Sequence, residues 1–301
     1  MATLKKHLSL SEQVALLSSR GLYISNGPAA ERLLLDTNYY RLSGYLHDFK
    51  VQGAEKYIDN LSLDHIKHLY DFDRRLGRII MYALEDVEET LKSRISYTVT
   101  ESNPDDPLVY LNPAIYTSQD EYNTFKDKFR TLVENNSKLP FVKHHMTKYN
   151  GDMPMWVAVE LLTMGNLSAL YKNLVPAYKK KIARLYNTGP DQLENWIRNL
   201  TYTRNHLAHY MRIYNFNFGR TPKTCKKHIQ TQYTSNKIFD QICVASIMYS
   251  DPVEWNSYVQ NEIWSILDEY KDDITLSAIG FPNNWQTLLT LPVKGLDYVI
   301  T

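Results

Sequence analysis

The sequence predicts an all-α protein. Apolar residues recur at spacings of three and four through most of the 301 residues, which is the stripe of an amphipathic helix. Capping residues stand ahead of these runs and glycine or proline closes them.

The elements follow in order. In "SLSEQVALLSSRGL", Ser9 or Ser11 is an N-cap and Gly21 a stop. In "GPAAERLLLDTN", Pro28 sits early and Leu33 with Leu34 form the buried side. "YYRLSGYLHDFK", broken by Gly44, reads as a short helix or turn, with a strand as the weaker option up to Tyr57. The strongest helix starts after Ser62. Leu69, Phe72, Leu76, Ile80, Ala83, Val87 and Leu91 fall on one stripe, and the pattern lasts to about Tyr97, a length of about 50 Å. Residues 101–118 are a proline-bearing connector, followed by a helix capped by Ser118. "HHMTKYNGDMP" reads as a loop, which makes His144 and His145 loop residues rather than a metal site. "MPMWVAVELLTMGNLSALYKNL" reads as two helices parted at Gly165, and a short helix then ends at Gly189. Another helix begins at Pro190, where Asp191 and Glu194 have capping-box spacing. Two more are expected near 236–249 and 253–271, and the apolar tail from Gly280 docks on the body. The chain divides softly into an N-terminal helical region (1–61), a helical body (62–220) and a C-terminal helical extension (221–301), which can share one core.

Composition narrows the function classes. A formal net charge of +1 provides no global field, so any polyanion must be held by a local cluster. Cys225 and Cys243 form no CxxC pair, which argues against a thiolate zinc site and a disulfide scaffold; no metal or other cofactor is expected. No apolar run approaches membrane-spanning length and the N-terminus lacks a signal peptide's apolar core, so the expectation is a cytoplasmic protein without a membrane partner.

The chemistry concentrates in "RNHLAHYMRIYN", Arg204 to Asn215. On an ideal helix through 191–215, Arg198, Tyr202, Asn205, His209 and Arg212 fall within about 40° of one line. Leu193, Ile197, Leu200, Leu207 and Met211 make the opposite, core face. Asn205 and His209 are four apart and therefore neighbours, so the amide can orient the imidazole. No acidic residue lies between Arg198 and Arg212, so the stripe is either an ordinary solvated face or an anion-binding surface. Arg204 projects about 140° from His209, near the apolar side. Either the helix deforms there or the guanidinium meets a carboxylate or phosphate, with Asp73, Glu85 and Glu88 as internal candidates. His206 points off the stripe and reads as a packing or capping residue. The runs "YKKKIAR" and "KTCKKH" read as solvated charge or as the edge of a wider track. In "NYYRLSGY", Tyr39, Tyr40 and Arg41 read as packing with an arginine handle rather than as a stacking surface.

Arg204-Asn-x-x-x-His209 resembles the R-x4-6-H signature of HEPN domains, helical ribonuclease folds of toxins and antiviral systems. "NYYRLSGY", "LYDFDRRL", "MPMWVAVELLTMGNLSALYKNL" and "GFPNNW" resemble, in order, blocks of the bacterial abortive-infection (Abi) family, AbiD/AbiF-like branch. The resemblance implies an HEPN-like helical bundle and a toxin-like endoribonuclease in phage defence. Arg204, Asn205 and His209 would be catalytic, and Arg198, Tyr202 and Arg212 would contact RNA. It also implies a homodimer, because two motifs meet in one active site in related systems, and a small regulatory RNA in some relatives. Leu207 stands where many relatives have Cys, and Tyr210 where they have a second His. Met211 stands where some HEPN toxins carry a modifiable Tyr.

The residue chemistry is compatible with this. RNA carries its own nucleophile, the 2′-OH. An imidazole with an ordinary pKa of about 6.5 can move its proton, and a guanidinium can grip two phosphate oxygens. Two other classes fit the same stripe: an RNA-binding module that does not cut, and an interaction protein that uses the stripe as a dimer seam.

Overall fold

The computed structural model describes residues 6–223 and 235–293. The start of the N-terminal stretch, Cys225, most of "KTCKKH" and the end of the tail lie outside the described residues. The described residues form helices and isolated bridges only, so the fold is all-α as expected.

A single helix, α4 (Leu63–Glu101, 39 residues), is the spine. Ser62 caps it by accepting from the His65 N–H, and at 1.5 Å per residue it is about 58 Å long. All seven predicted stripe residues, Leu69 through Leu91, are buried. The helix runs one turn past Tyr97 because Ile95 and Val99 continue the stripe. The hydroxyls of Thr98, Thr100 and Ser102 return to carbonyls four residues back, so they do not compete with the helix.

Three N-terminal helices pack at the start of this spine. Helix α1 (Leu10–Ser19) opens with a capping box between Ser9 and Glu12, and α2 (Gly27–Thr37) is capped by Asn26. Helix α3 (Tyr39–Leu46) runs through Gly44, against the expectation of a break, and a 3₁₀ turn (His47–Phe49) extends it. Buried Leu42, Tyr45 and Leu46 hold the segment helical, and the Gly44 carbonyl is used from outside by Arg212. The strand option fails: the segment to Tyr57 forms one isolated bridge, Lys50 with Tyr57.

Beyond α4 come α5 (Gln119–Asn135), capped by Ser118, and α6 (Pro140–Lys148). Helix α6 contains His144 and His145, so the expected loop begins only after Lys148; Pro140 at its first turn and buried Val142 explain why. The next pair parts before Gly165. Helix α7 (Met155–Ala158) and a 3₁₀ turn (Val159–Leu161) end before Leu162, and Thr163 then caps α8 (Met164–Asn173) through a box with Asn166. Helix α9 (Pro176–Arg184) leads to α10 (Pro190–Ala208). No capping box forms there. Gly189 is the N-cap, and Glu194 turns to the Lys179 ammonium instead.

Helix α10 lies against α4, α8, α9 and α11 (Ile238–Met248), with Leu193, Trp196, Ile197 and Leu200 fully buried. Then follow α12 (Pro252–Glu254), a π turn (Trp255–Val259) and α13 (Gln260–Glu269). The π turn presents Trp255 and Asn256 to the tail, where they bond the backbone of Leu289 and Leu291. Short helices α14 (Leu276–Ile279) and α15 (Trp285–Leu289) dock through Phe281, Trp285 and Leu289. Buried residues from the N-terminal region, the body and the C-terminal extension join one cluster. Among the described residues no helix is long and apolar enough to cross a membrane.

One buried carboxylate ties these parts together. Asp73, on α4, accepts from the backbone N–H of Ile213 (2.7 Å) and Tyr214 (2.8 Å), just beyond α10, and from the Tyr45 hydroxyl of α3 (2.8 Å). Burial outweighs these three donors and pushes its pKa up to about 7. The folded protein then holds a proton on Asp73 that the unfolded chain releases near the ordinary value of 3.8. The stability contributed by this group therefore falls as pH rises from about 4 to about 7. Asp73→Asn keeps one accepting oxygen and turns an NH₂ toward a backbone donor, so urea midpoints should report a loss of about 1–3 kcal/mol. The Asn variant should also lack the decline between pH 4 and 7; an unchanged pH slope would refute this role.

Candidate functional site

Helix α10 stays regular through Asn205 and ends at Ala208. His209 is the C-cap, and Tyr210 takes a left-handed conformation at φ 55°. The Tyr210 N–H donates to the Leu207 carbonyl and the Met211 N–H to the His206 carbonyl, a Schellman ending with tyrosine where glycine is usual. The helix that was projected to Asn215 therefore stops earlier, and the geometry of its last members changes. Met211 is exposed rather than on the core face. Arg212 is off the stripe. Its guanidinium donates to Asp48 (2.6 Å) and to the Gly44 carbonyl (2.7 Å), and it lies over the Tyr45 ring.

The rest of the stripe survives. Arg198, Tyr202, Asn205 and His209 are exposed on one face. Among the described residues, neither the Asn205 amide nor the His209 imidazole has a hydrogen-bond partner, so the amide does not orient the ring here; both are open to a ligand. Tyr202 stacks edge-on against Phe218 and lies under Arg220. Arg204 points to α4, where its Nε sits 3.7 Å from Glu88, one of the three carboxylates expected to receive it. The pair resolves the Arg204 problem without deforming the helix.

His206 is structural. Its ring is buried, packs 4.4 Å from Phe216, and donates from Nε2 to the Arg212 carbonyl at 2.8 Å. A carbonyl only accepts, so Nε2 carries the proton. Burial lowers the His206 pKa and keeps the ring neutral, with the bond to Arg212 opposing in part.

The tertiary structure adds a cleft that adjoins this helix end. It has a volume of about 450 Å³ and lies between α3, α4 and the exit from α10, with Ala208 and Tyr210 in its wall and His209, between them in sequence, outside its lining. Arg41, Arg74 and Arg78 line it together with Tyr70 and Tyr82. Arg74 and Arg78 were not anticipated as functional residues. Their signal is present: Tyr70, Arg74, Arg78 and Tyr82 recur every fourth residue, a second stripe on α4 beside the apolar one. Nothing in the sequence shows that this stripe meets the end of α10. Arg41 donates to the Tyr210 carbonyl at 2.6 Å, which braces the left-handed residue from α3.

A family profile described as "Abi-like protein" matches residues 32–215, more than half of the chain. The chain belongs to this family, whose association is with abortive infection, a form of phage defence. Neither a curated protein nor a solved structure matches it. The matched span begins in α2 and ends just beyond the Schellman turn, so it contains α3, α4, α10 and the whole cleft.

Tyr210→Gly tests whether the left-handed turn is kept for its side chain. Glycine relieves a left-handed cost of about 1–2 kcal/mol but adds unfolded-state entropy of up to about 1 kcal/mol. The melting temperature should therefore hold or rise slightly, since the ring is largely exposed. A clear loss of thermal stability would show that the ring is needed for packing instead.

Proposed function

We propose that this protein is an HEPN-type, metal-independent endoribonuclease that acts as a toxin-like effector in abortive infection. The observation that carries the reading is that Asn205 and His209 stand exposed and unengaged at a helix end whose neighbouring residues Leu207, Ala208 and Tyr210 wall an arginine-lined cleft. Membership of the Abi-like family and the Arg204–His209 spacing support it.

In this reading the 2′-oxygen of one ribose attacks the adjacent phosphorus. The O2′–P bond forms and the P–O5′ bond breaks. The 2′-OH proton passes to a base and a proton is delivered to O5′, which leaves a 2′,3′-cyclic phosphate and a 5′-hydroxyl. His209 serves one of these transfers, and Arg204 stabilises the phosphorane charge. A homodimer would supply the second imidazole from the partner copy. Arg198 and Tyr202 extend the RNA contact along the stripe, while Arg212, held by Asp48 and the Gly44 carbonyl, braces the turn instead. A non-catalytic RNA-binding reading is favoured by one observation, the engagement of Arg204 with Glu88. In the enzyme, substrate phosphate must compete with that carboxylate.

The test is incubation of the full chain with total RNA in EDTA, with the cut ends sequenced. The expected result is 2′,3′-cyclic phosphate ends, with rates about 10²–10⁴-fold lower for His209→Ala and sharply lower for Arg204→Ala. RNA that is bound but never cut would support the binding module. RNA neither bound nor cut would leave the interaction protein.

A further inference from the structure

The cleft beside His209 has a chemical character that the cleavage reading does not use. Its floor is apolar, formed by Met81, Leu207 and Ile213 with the α4 backbone at Gly77. A Cβ at Gly77 would lie 3.4 Å from Ile213 Cδ1 and 3.6 Å from Leu207 Cδ2, ordinary van der Waals distances, so these two side chains cover the α4 backbone beneath the cleft. Tyr70, Tyr82 and Tyr210 offer ring surface around it, and the last two are exposed.

Its charge is unbalanced. Among the described residues none of Arg41, Arg74 and Arg78 forms an ion pair. Arg41 bonds a carbonyl, Arg74 bonds the Tyr70 hydroxyl (2.9 Å), and Arg78 has no hydrogen-bond partner among the described residues. Two acids line the cleft. Asp73 has both oxygens taken by donors, and Glu85 is exposed. A volume of about 450 Å³ lies within the range of about 300–1,000 Å³ usual for small-ligand sites. Flat apolar and aromatic surface next to unpaired guanidinium groups suits a planar heterocycle that carries a phosphate.

We propose that this cleft binds one nucleoside phosphate unit, its base against the tyrosines and apolar floor and its phosphate on Arg74 and Arg78. In its main form the inference rests on the ribonuclease reading: the unit is a nucleotide of the substrate strand, and the cleft selects a base near the cut. A free mononucleotide presents the same chemistry, and the experiment separates the two sources.

Binding is measured by calorimetry on the full chain as wild type and Arg74→Ala/Arg78→Ala. The ligands are the four 5′-mononucleotides, the unphosphorylated nucleosides, inorganic phosphate and a cleavage-resistant 2′-O-methyl hexanucleotide. Both arginines are exposed, and the melting curve of the double variant checks its fold. The double variant should bind the hexanucleotide at least about tenfold more weakly than wild type, the scale of a lost charged hydrogen bond. Inorganic phosphate and bare nucleosides should each bind more weakly than a nucleotide. Hexanucleotide binding far tighter than mononucleotide binding assigns the unit to the strand; equal affinity assigns the cleft to free nucleotide. Unchanged affinity in the double variant, or inorganic phosphate binding as well as nucleotides, overturns the proposal. If the double variant also cuts RNA with wild-type KM, the ribonuclease reading stands without the cleft. If nothing is cut yet nucleotide binding still depends on Arg74 and Arg78, the cleft stands and the ribonuclease reading falls.

Discussion

A single buried carboxylate sets the geometry on which the site depends. Asp73 sits in the middle of the apolar face of α4, where an unpartnered charge would be costly. It is satisfied by two backbone N–H groups from the strand of chain leaving α10 and by a hydroxyl from α3. Three segments distant in sequence are thereby held to one point. The side chains that follow from this, His209 at a helix end, Tyr210 in a left-handed turn and Arg212 crossing to α3, are placed by where the chain must go to reach Asp73.

The same turn is braced from several directions. Arg41 and Arg212 both reach carbonyls, one going from α3 to the turn and the other from the turn to α3. His206 stays neutral and supports the turn from inside through the Arg212 carbonyl. These bonds order the backbone while leaving the Asn205 and His209 side chains unengaged. That division of labour within six residues explains why two histidines three apart can have opposite roles, one buried and one open.

Much of the fold was legible because helices declare themselves locally. The apolar stripe of α4, the Ser62 and Ser118 caps and the docking tail depend on spacing and caps that can be read within one segment. The errors share a cause. Gly44 is expected to break its segment, yet buried Leu42, Tyr45 and Leu46 hold it helical, and the break expected at Gly165 falls just ahead of it, where Thr163 caps α8. Asp191 and Glu194 have the spacing of a cap, but Glu194 is drawn to Lys179 on another helix. Packing outweighs local propensity wherever a tertiary partner competes for the same group.

By itself the sequence determined the all-α class, the long spine, the family and an exposed polar face carrying Arg198, Tyr202, Asn205 and His209. Each of these depends on residues close together along one helix or on a pattern of blocks. Only the tertiary structure decided where α10 ends, that Glu88 receives Arg204, that Arg212 leaves the stripe, and that Arg41, Arg74 and Arg78 share a cleft beside His209. The physical reason is that helix periodicity sets the direction of a side chain around its own axis. The partner it meets is set by the burial of Asp73 and the core stripe, which fix how α3, α4 and the end of α10 come together.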